Sequence, residues 1–365
     1  MCDFTDSSQN KAWLYTPQLL LECRARANRE AREALGGPSV DNAKQPTLVP
    51  IRWWASGYGN SEREEQDYEG GGPWKTTSGG HDMLTPTEET MLISFYSSHL
   101  PGLIGPQAQV PRMRRDVKVV ATAGLIFRRF FLSNSVMIHD PKTTMVAAAF
   151  LASKVEDCMA DIRFLEEGTQ LMNAPVGREE ILPAELRLIE GVHFELMCFH
   201  PYRAVLAYTE DLRTFLKSEK GRTIVKSNRP IVGEDLRPMH DAARQLIDLV
   251  IISDIPLLFS PGKVGLAALM VANEESAVRI DFMGYVKKRF DDKNLEQFER
   301  LATELIELSK MLKGLRKGEY GCGANENLDM TILKRAHKKL KKCRAWGEKK
   351  KKKKRKAEEM AEGEK

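Results

Sequence analysis

The sequence predicts an all-α protein built from two tandem helical repeats, and three observations lead there. Apolar residues recur at three- and four-residue steps, as in Val119, Val120, Ala123, Phe127 and Phe130, and again in Phe298, Leu301, Leu305 and Leu308. No sustained period-two run of Val, Ile and Thr competes with them. Residues 141–153, PKTTMVAAAFLAS, align without gaps on residues 261–273, PGKVGLAALMVAN, at an offset of 120. Each copy opens on Pro and continues as a helix apolar on nearly every side, which other helices must surround. Its alanines let those neighbours approach closely. An apolar helix and a short loop precede each copy. Two bundles on one plan therefore explain the repetition better than chance likeness between two alanine-rich helices.

The elements follow in chain order. A first helix is expected over residues 17–35, with Thr16 as cap and Pro17 at its first position. Residues 36–83 read as a disordered insertion, since nine glycines fall between positions 36 and 80 without apolar periodicity. Thr85 and Glu88 form a capping box with Pro86 pre-set for the first turn, which opens the first repeat, residues 84–205. Residues 206–235 are expected as a linker, 236–316 as the second repeat, and 317–365 as a disordered basic tail.

Charge divides the molecule. The net charge is +5, yet residues 334–356 hold fifteen Lys/Arg and one Glu. The rest carries 41 basic and 50 acidic residues, so the body is acidic and offers no compositional case for nucleic-acid binding. No apolar run is long enough to span a membrane, and the N-terminus reads as carrying no secretory signal. The six cysteines are scattered without a C-x-x-C pair and the seven histidines lack ligand spacing. The expectation is a reducing compartment, no metal and no cofactor. Ser260-Pro261-Gly262-Lys263 lacks the leading glycine and strand of a phosphate-binding loop. No kinase catalytic-loop motif is present either, so the chain is expected not to be an enzyme.

Three stretches carry a resemblance. Leu151-Ala152-Ser153-Lys154-Val155-Glu156-Asp157 closes the first apolar helix. Phe127-Arg128-Arg129-Phe130-Phe131-Leu132 precedes it, with Asn134-Ser135-Val136 as the turn. Glu185-Leu186-Arg187-Leu188-Ile189, up to Phe194, and His200-Pro201-Tyr202-Arg203 follow. Together they resemble the cyclin box, a five-helix repeat with a buried third helix, in the H-type branch of the cyclin family. Ser7-Ser8-Gln9 with Trp13, Arg26-Ala27-Asn28-Arg29, and Asp254 through Pro261 add to that likeness. The first helix of the box reads Thr90-Met91-Leu92-Ile93-Ser94, which departs from the substrate-docking run of cell-cycle cyclins. The insertion before the box has no recognised counterpart.

The resemblance implies a non-catalytic subunit that binds and activates a cyclin-dependent kinase, with an assembly factor, within general transcription factor TFIIH. Implied substrates are other cyclin-dependent kinases and the RNA polymerase II tail. It also implies that Lys154 and Glu185 meet the kinase's regulatory helix, with Leu151, Val155, Ile189 and Phe194 as apolar contacts. A surface ion pair contributing little is the plainer account of such a pair taken alone. The second repeat has Glu274 in the place of Lys154, so only the first repeat is expected to engage the kinase. Trp13 is read as an anchor on the first box, and His193 carries no chemistry. The run Lys349, Lys350, Lys351, Lys352, Lys353, Lys354, Arg355 and Lys356 reads as a nuclear localisation signal, able also to touch nucleic-acid phosphates without reading sequence. Another transcriptional cyclin is the first alternative. The second is a DNA-binding factor with cyclin repeats, against which the unpaired cysteines and acidic body speak.

Overall fold

The computed structural model describes residues 3–36, 83–225, 233–276, 280–289, 295–318 and 330–363, the last segment with side chains up to Gly347. The expected insertion lies outside the described residues apart from its edges at Gly36 and Met83. Among the described residues the only β pairing is a single bridge between Val225 and Ile280.

The helices are α1 (Ser8–Ala12), α2 (Pro17–Ala34), α3 (Pro86–Ser97), α4 (Leu100–Ile104), α5 (Val117–Ser133), α6 (Pro141–Val155), α7 (Ile162–Leu171) and α8 (Arg178–Gly191). They continue as α9 (Pro201–Phe215), α10 (Glu219–Arg222), α11 (Arg237–Val250), α12 (Pro261–Glu275), α13 (Phe282–Lys287), α14 (Leu295–Arg316) and α15 (Met330–Gly363). Helices α5, α6 and α7 start 120 residues before α11, α12 and α13, so the offset seen in one helix extends to three.

Two expectations need correcting. The second repeat opens at Pro201, not at residue 236. Helix α9 runs through the expected linker and packs against α11 and α12. Its buried face, Val205, Thr209, Leu212 and Phe215, has helical spacing but is interrupted by the polar Thr209, with Leu206 exposed on another side, which hides it. The tail expected to be disordered is helical from Met330 to Gly363. Leu333, Ala336, Leu340 and Cys343 supply a buried stripe that anchors its first half.

The described chain divides into two compact units. The larger takes the residues up to Thr16, Ser94–Arg129, and the chain from Lys142 through α14. In its second repeat, α12 is buried from Val264 to Asn273 and packs on α9, α11 and α14. Gly265 makes the α9 approach tight: a Cβ there would lie 2.9 Å from the Ala204 Cβ. One device recurs in both repeats. Ser153 Oγ accepts from the Ala160 amide at 3.0 Å, and Asn273 Oδ1 accepts from the Ile280 amide at 3.0 Å. Both pairs stand 120 residues apart, so a buried polar side chain near the end of each central helix fastens the loop seven residues on. Arg128 and Asp254, 1% and 7% exposed, form a buried ion pair at 2.5 Å, and Arg128 Nη2 donates to the Ile252 carbonyl. This pair joins the two repeats.

The smaller unit takes α2, the chain up to Ile93, residues 130–141 and α15. The capping box is present: the Thr85 amide donates to Glu88 at 2.9 Å and the Glu88 amide to Thr85 Oγ1 at 3.2 Å. Next to it Glu89 is buried and accepts from Ser135 Oγ. Burial pushes its carboxyl up to about 7, outweighing the Ser135 and Asn28 hydrogen bonds that favour the charged form. Unfolded, the same group titrates near ~4.3, so between those values the native state binds more protons. Its contribution to stability is therefore complete below the unfolded pKa and fades as pH rises through about 7. Glu89→Gln should flatten this dependence, narrowing the gap in denaturation midpoint between acidic and mildly alkaline buffer. An unchanged gap would show that Glu89 does not control it.

Candidate functional site

The end of α6 and the face of α8 form the site. Helix α6 is buried without a break from Thr143 to Ser153, so after Lys142 at its start Lys154 is the next place where a long side chain can reach solvent. The Ser153 hydrogen bond and the left-handed backbone of Asp157, φ 53°, turn the chain away just beyond. Lys154 Nζ lies 2.6 Å from Glu185 Oε1 and 4.0 Å from the centre of the Phe150 ring. The lysine side chain is 35% exposed and the carboxylate 9%. An ammonium has three protons and Glu185 uses one, so the charged end of Lys154 keeps donors for an incoming group.

The structure brings the expected residues together with one correction. Lys154, Glu185, Val155 and Ile189 lie at or near the surface of α6 and α8, and Phe194 is 71% exposed just past α8 with a left-handed backbone, φ 61°. Leu151 is buried, because α6 is covered on that side too, so it supports the surface without forming part of it. The expected set omits two residues: Leu182 and Leu186 on α8 are exposed. They share a stripe with Ile189 at steps of four and three, beside a separate buried stripe of Ile181, Ala184 and Leu188. Two apolar stripes on one helix are a readable signal, since one bundle can cover only one of them.

Neighbouring features set this surface. Trp13 is buried, donates through its indole N–H to Glu195, and lies under the Arg129 guanidinium at 5.0 Å, so it is an anchor on the first box as expected. His193, φ 55°, is exposed just past the end of α8. His200 contacts Thr122 Oγ1 at 2.8 Å, and Thr122 in turn donates to Glu156. Burial, with Arg129, Arg203 and Lys118 nearby, holds its ring down at about 3, so it is neutral. In the second repeat, Glu274 at the end of α12 pairs with Lys313 of α14 at 2.5 Å, and both are about half exposed. The charges at the two helix ends are thus inverted.

This paired five-helix architecture defines a class. Residues 200–317 match the family described as cyclin C-terminal domain. Sequence likeness to cyclins extends over most of the chain. It is 26% identical to Cyclin-H1-1 of Arabidopsis thaliana over 343 residues, covering 94% of this chain and 89% of that protein. It is 29% identical to Cyclin-H of Xenopus laevis over 203 residues, covering 54% and 56%. A chain of the CAK complex from Chaetomium thermophilum shares the fold at a TM-score of 0.65 and 21% identity, covering 93% of this chain and 88% of that one. A chain of the yeast TFIIK complex, Kin28/Ccl1/Tfb3, does so at 0.55 and 21%, covering 85% and 100%. Among the described residues no helix is long and apolar enough to cross a membrane, and no cluster of three metal-ligating side chains occurs.

Proposed function

We propose that this protein is an H-type cyclin: a non-catalytic subunit that binds and activates a cyclin-dependent kinase, together with an assembly factor, in a TFIIH-linked complex. The kinase so activated would phosphorylate other cyclin-dependent kinases and the RNA polymerase II C-terminal domain. The observation that carries the reading is the exposed apolar stripe of α8 around an ion pair that keeps free donors. Apolar grip around a charged centre gives an interface both affinity and register. A kinase helix held there would have its glutamate brought against the active-site lysine, as phosphoryl transfer requires. Purified chain added to its kinase, captured from the same cells, should raise phosphorylation of a polymerase-tail peptide. Absence of any kinase in the captured material would refute the assignment.

The protein is proposed to be nuclear, with Lys349–Lys356 as the import signal. Glutamine at all eight positions should leave a fluorescent fusion in the cytoplasm while kinase activation in vitro persists. Loss of activation with retained nuclear signal would reverse that division of labour.

A further inference from the structure

Helix α15 carries two opposed faces. Leu333, Ala336, Leu340 and Cys343 are buried, and the same side is pinned by Lys339 to Glu88 at 2.9 Å and by Arg344 to Asp140 at 2.9 Å. The helix is therefore fastened to its own unit by salt bridges at two separate points. On the other side Lys334, Arg335, Lys338, Lys341 and Lys342 are exposed, and none pairs with a carboxylate among the described residues. At 100° and 1.5 Å per residue, these five cations fall within an arc of about 120° over roughly 12 Å of helix. They form a fixed cationic ridge, separate from the run that begins at Lys349.

We propose that this ridge binds the phosphate backbone of duplex DNA without reading sequence. Three observations choose that occupant. The ridge is uniformly cationic, and duplex DNA presents one negative charge per ~1.7 Å of axis along a rigid rod. No aromatic stands among the exposed positions 334–342, so the stacking platform that single strands use is missing. The apolar stripe of α15 is already buried, and the exposed Met330 and Ile332 stand only in its first turn, too little apolar surface to lay the helix into a lipid interface. The ridge also lacks Asn or Gln to pair with adenine edges, so its lysines and single arginine serve as charges. The inference is independent of kinase docking, which uses α6 and α8.

The test is fluorescence anisotropy of the full-length chain with a labelled duplex of about 25 base pairs, titrated between about 50 and 200 mM salt. The comparison variant carries Gln at Lys334, Arg335, Lys338, Lys341 and Lys342, all exposed positions where glutamine keeps the helix. The salt slope of log affinity should shrink by about 3 to 4.5, at ~0.9 for each phosphate that is no longer neutralised. A second variant with Gln at 349–356 should keep a slope difference from a chain lacking both basic sets. No binding at low salt would overturn the proposal. So would a salt slope that changes only in the 349–356 variant, or binding to vesicles rich in phosphatidylserine but not to DNA. Circular dichroism of the variant confirms that α15 is retained, and a loss of helix is answered by repeating the measurement with Lys338→Gln and Lys342→Gln alone, whose slope should fall by about 2.

Discussion

Replacing Lys154 by Ala should weaken the kinase complex by about 30-fold to several thousand-fold, corresponding to about 2–5 kcal/mol for a desolvated charge left without its partner. The geometry adds a second expectation. Glu185 is only 9% exposed, so Lys154→Ala strands a largely buried carboxylate and should cost the fold about 1–3 kcal/mol as well. Glu185→Ala should lower kinase affinity similarly while relieving that cost. The double variant should lose less than the sum if, as proposed, both groups meet one partner surface. Glu274→Ala is the control. It removes an exposed pair with Lys313 and should change kinase affinity and stability by less than about 1 kcal/mol. Titration calorimetry and urea denaturation separate the two quantities. Equal losses of kinase affinity at 154 and 274 would place the kinase on another surface.

Replacing Arg128 by Met should lower stability by about 3–5 kcal/mol, because it leaves Asp254 charged in a site only 7% exposed. Removing the donor to the Ile252 carbonyl adds to this. Combining Arg128→Met with Asp254→Leu should restore most of the stability, since a buried pair replaced whole by apolar groups is close to neutral. The urea midpoint reports both. If the single variant were as stable as the parent, the pair would contribute nothing to the junction of the repeats.

Much of this can be read from the sequence because it depends on local pattern. The capping box at Thr85 and Glu88, the central helices from Pro141 and Pro261, and the Lys154–Glu185 pairing follow from spacing and the family likeness. What escapes depends on tertiary surroundings. Helix α9 reads as linker because Thr209 interrupts its buried stripe, which is meaningful only against α12. Helix α15 reads as tail because fifteen like charges argue for disorder, whereas Leu333, Ala336, Leu340 and Cys343 decide its first turns. Leu151 looks like a contact because sequence spacing alone does not show that α6 is covered on every side. The elevated titration of Glu89 follows from burial beside Ser135, which lies 46 positions away and which no local window reveals.

The loop-fastening residues Ser153 and Asn273 occupy equivalent places, while the next residue along is Lys154 in one repeat and Glu274 in the other. Duplication has thus kept the joint and reversed the sign beside it. On the proposed reading this settles valency. A protein with two similar lobes could seat two partners, but a partner shaped for an ammonium meets a carboxylate on the second lobe and is turned away. The complex would be one-to-one from a twofold plan, and the second lobe is left free to evolve other contacts.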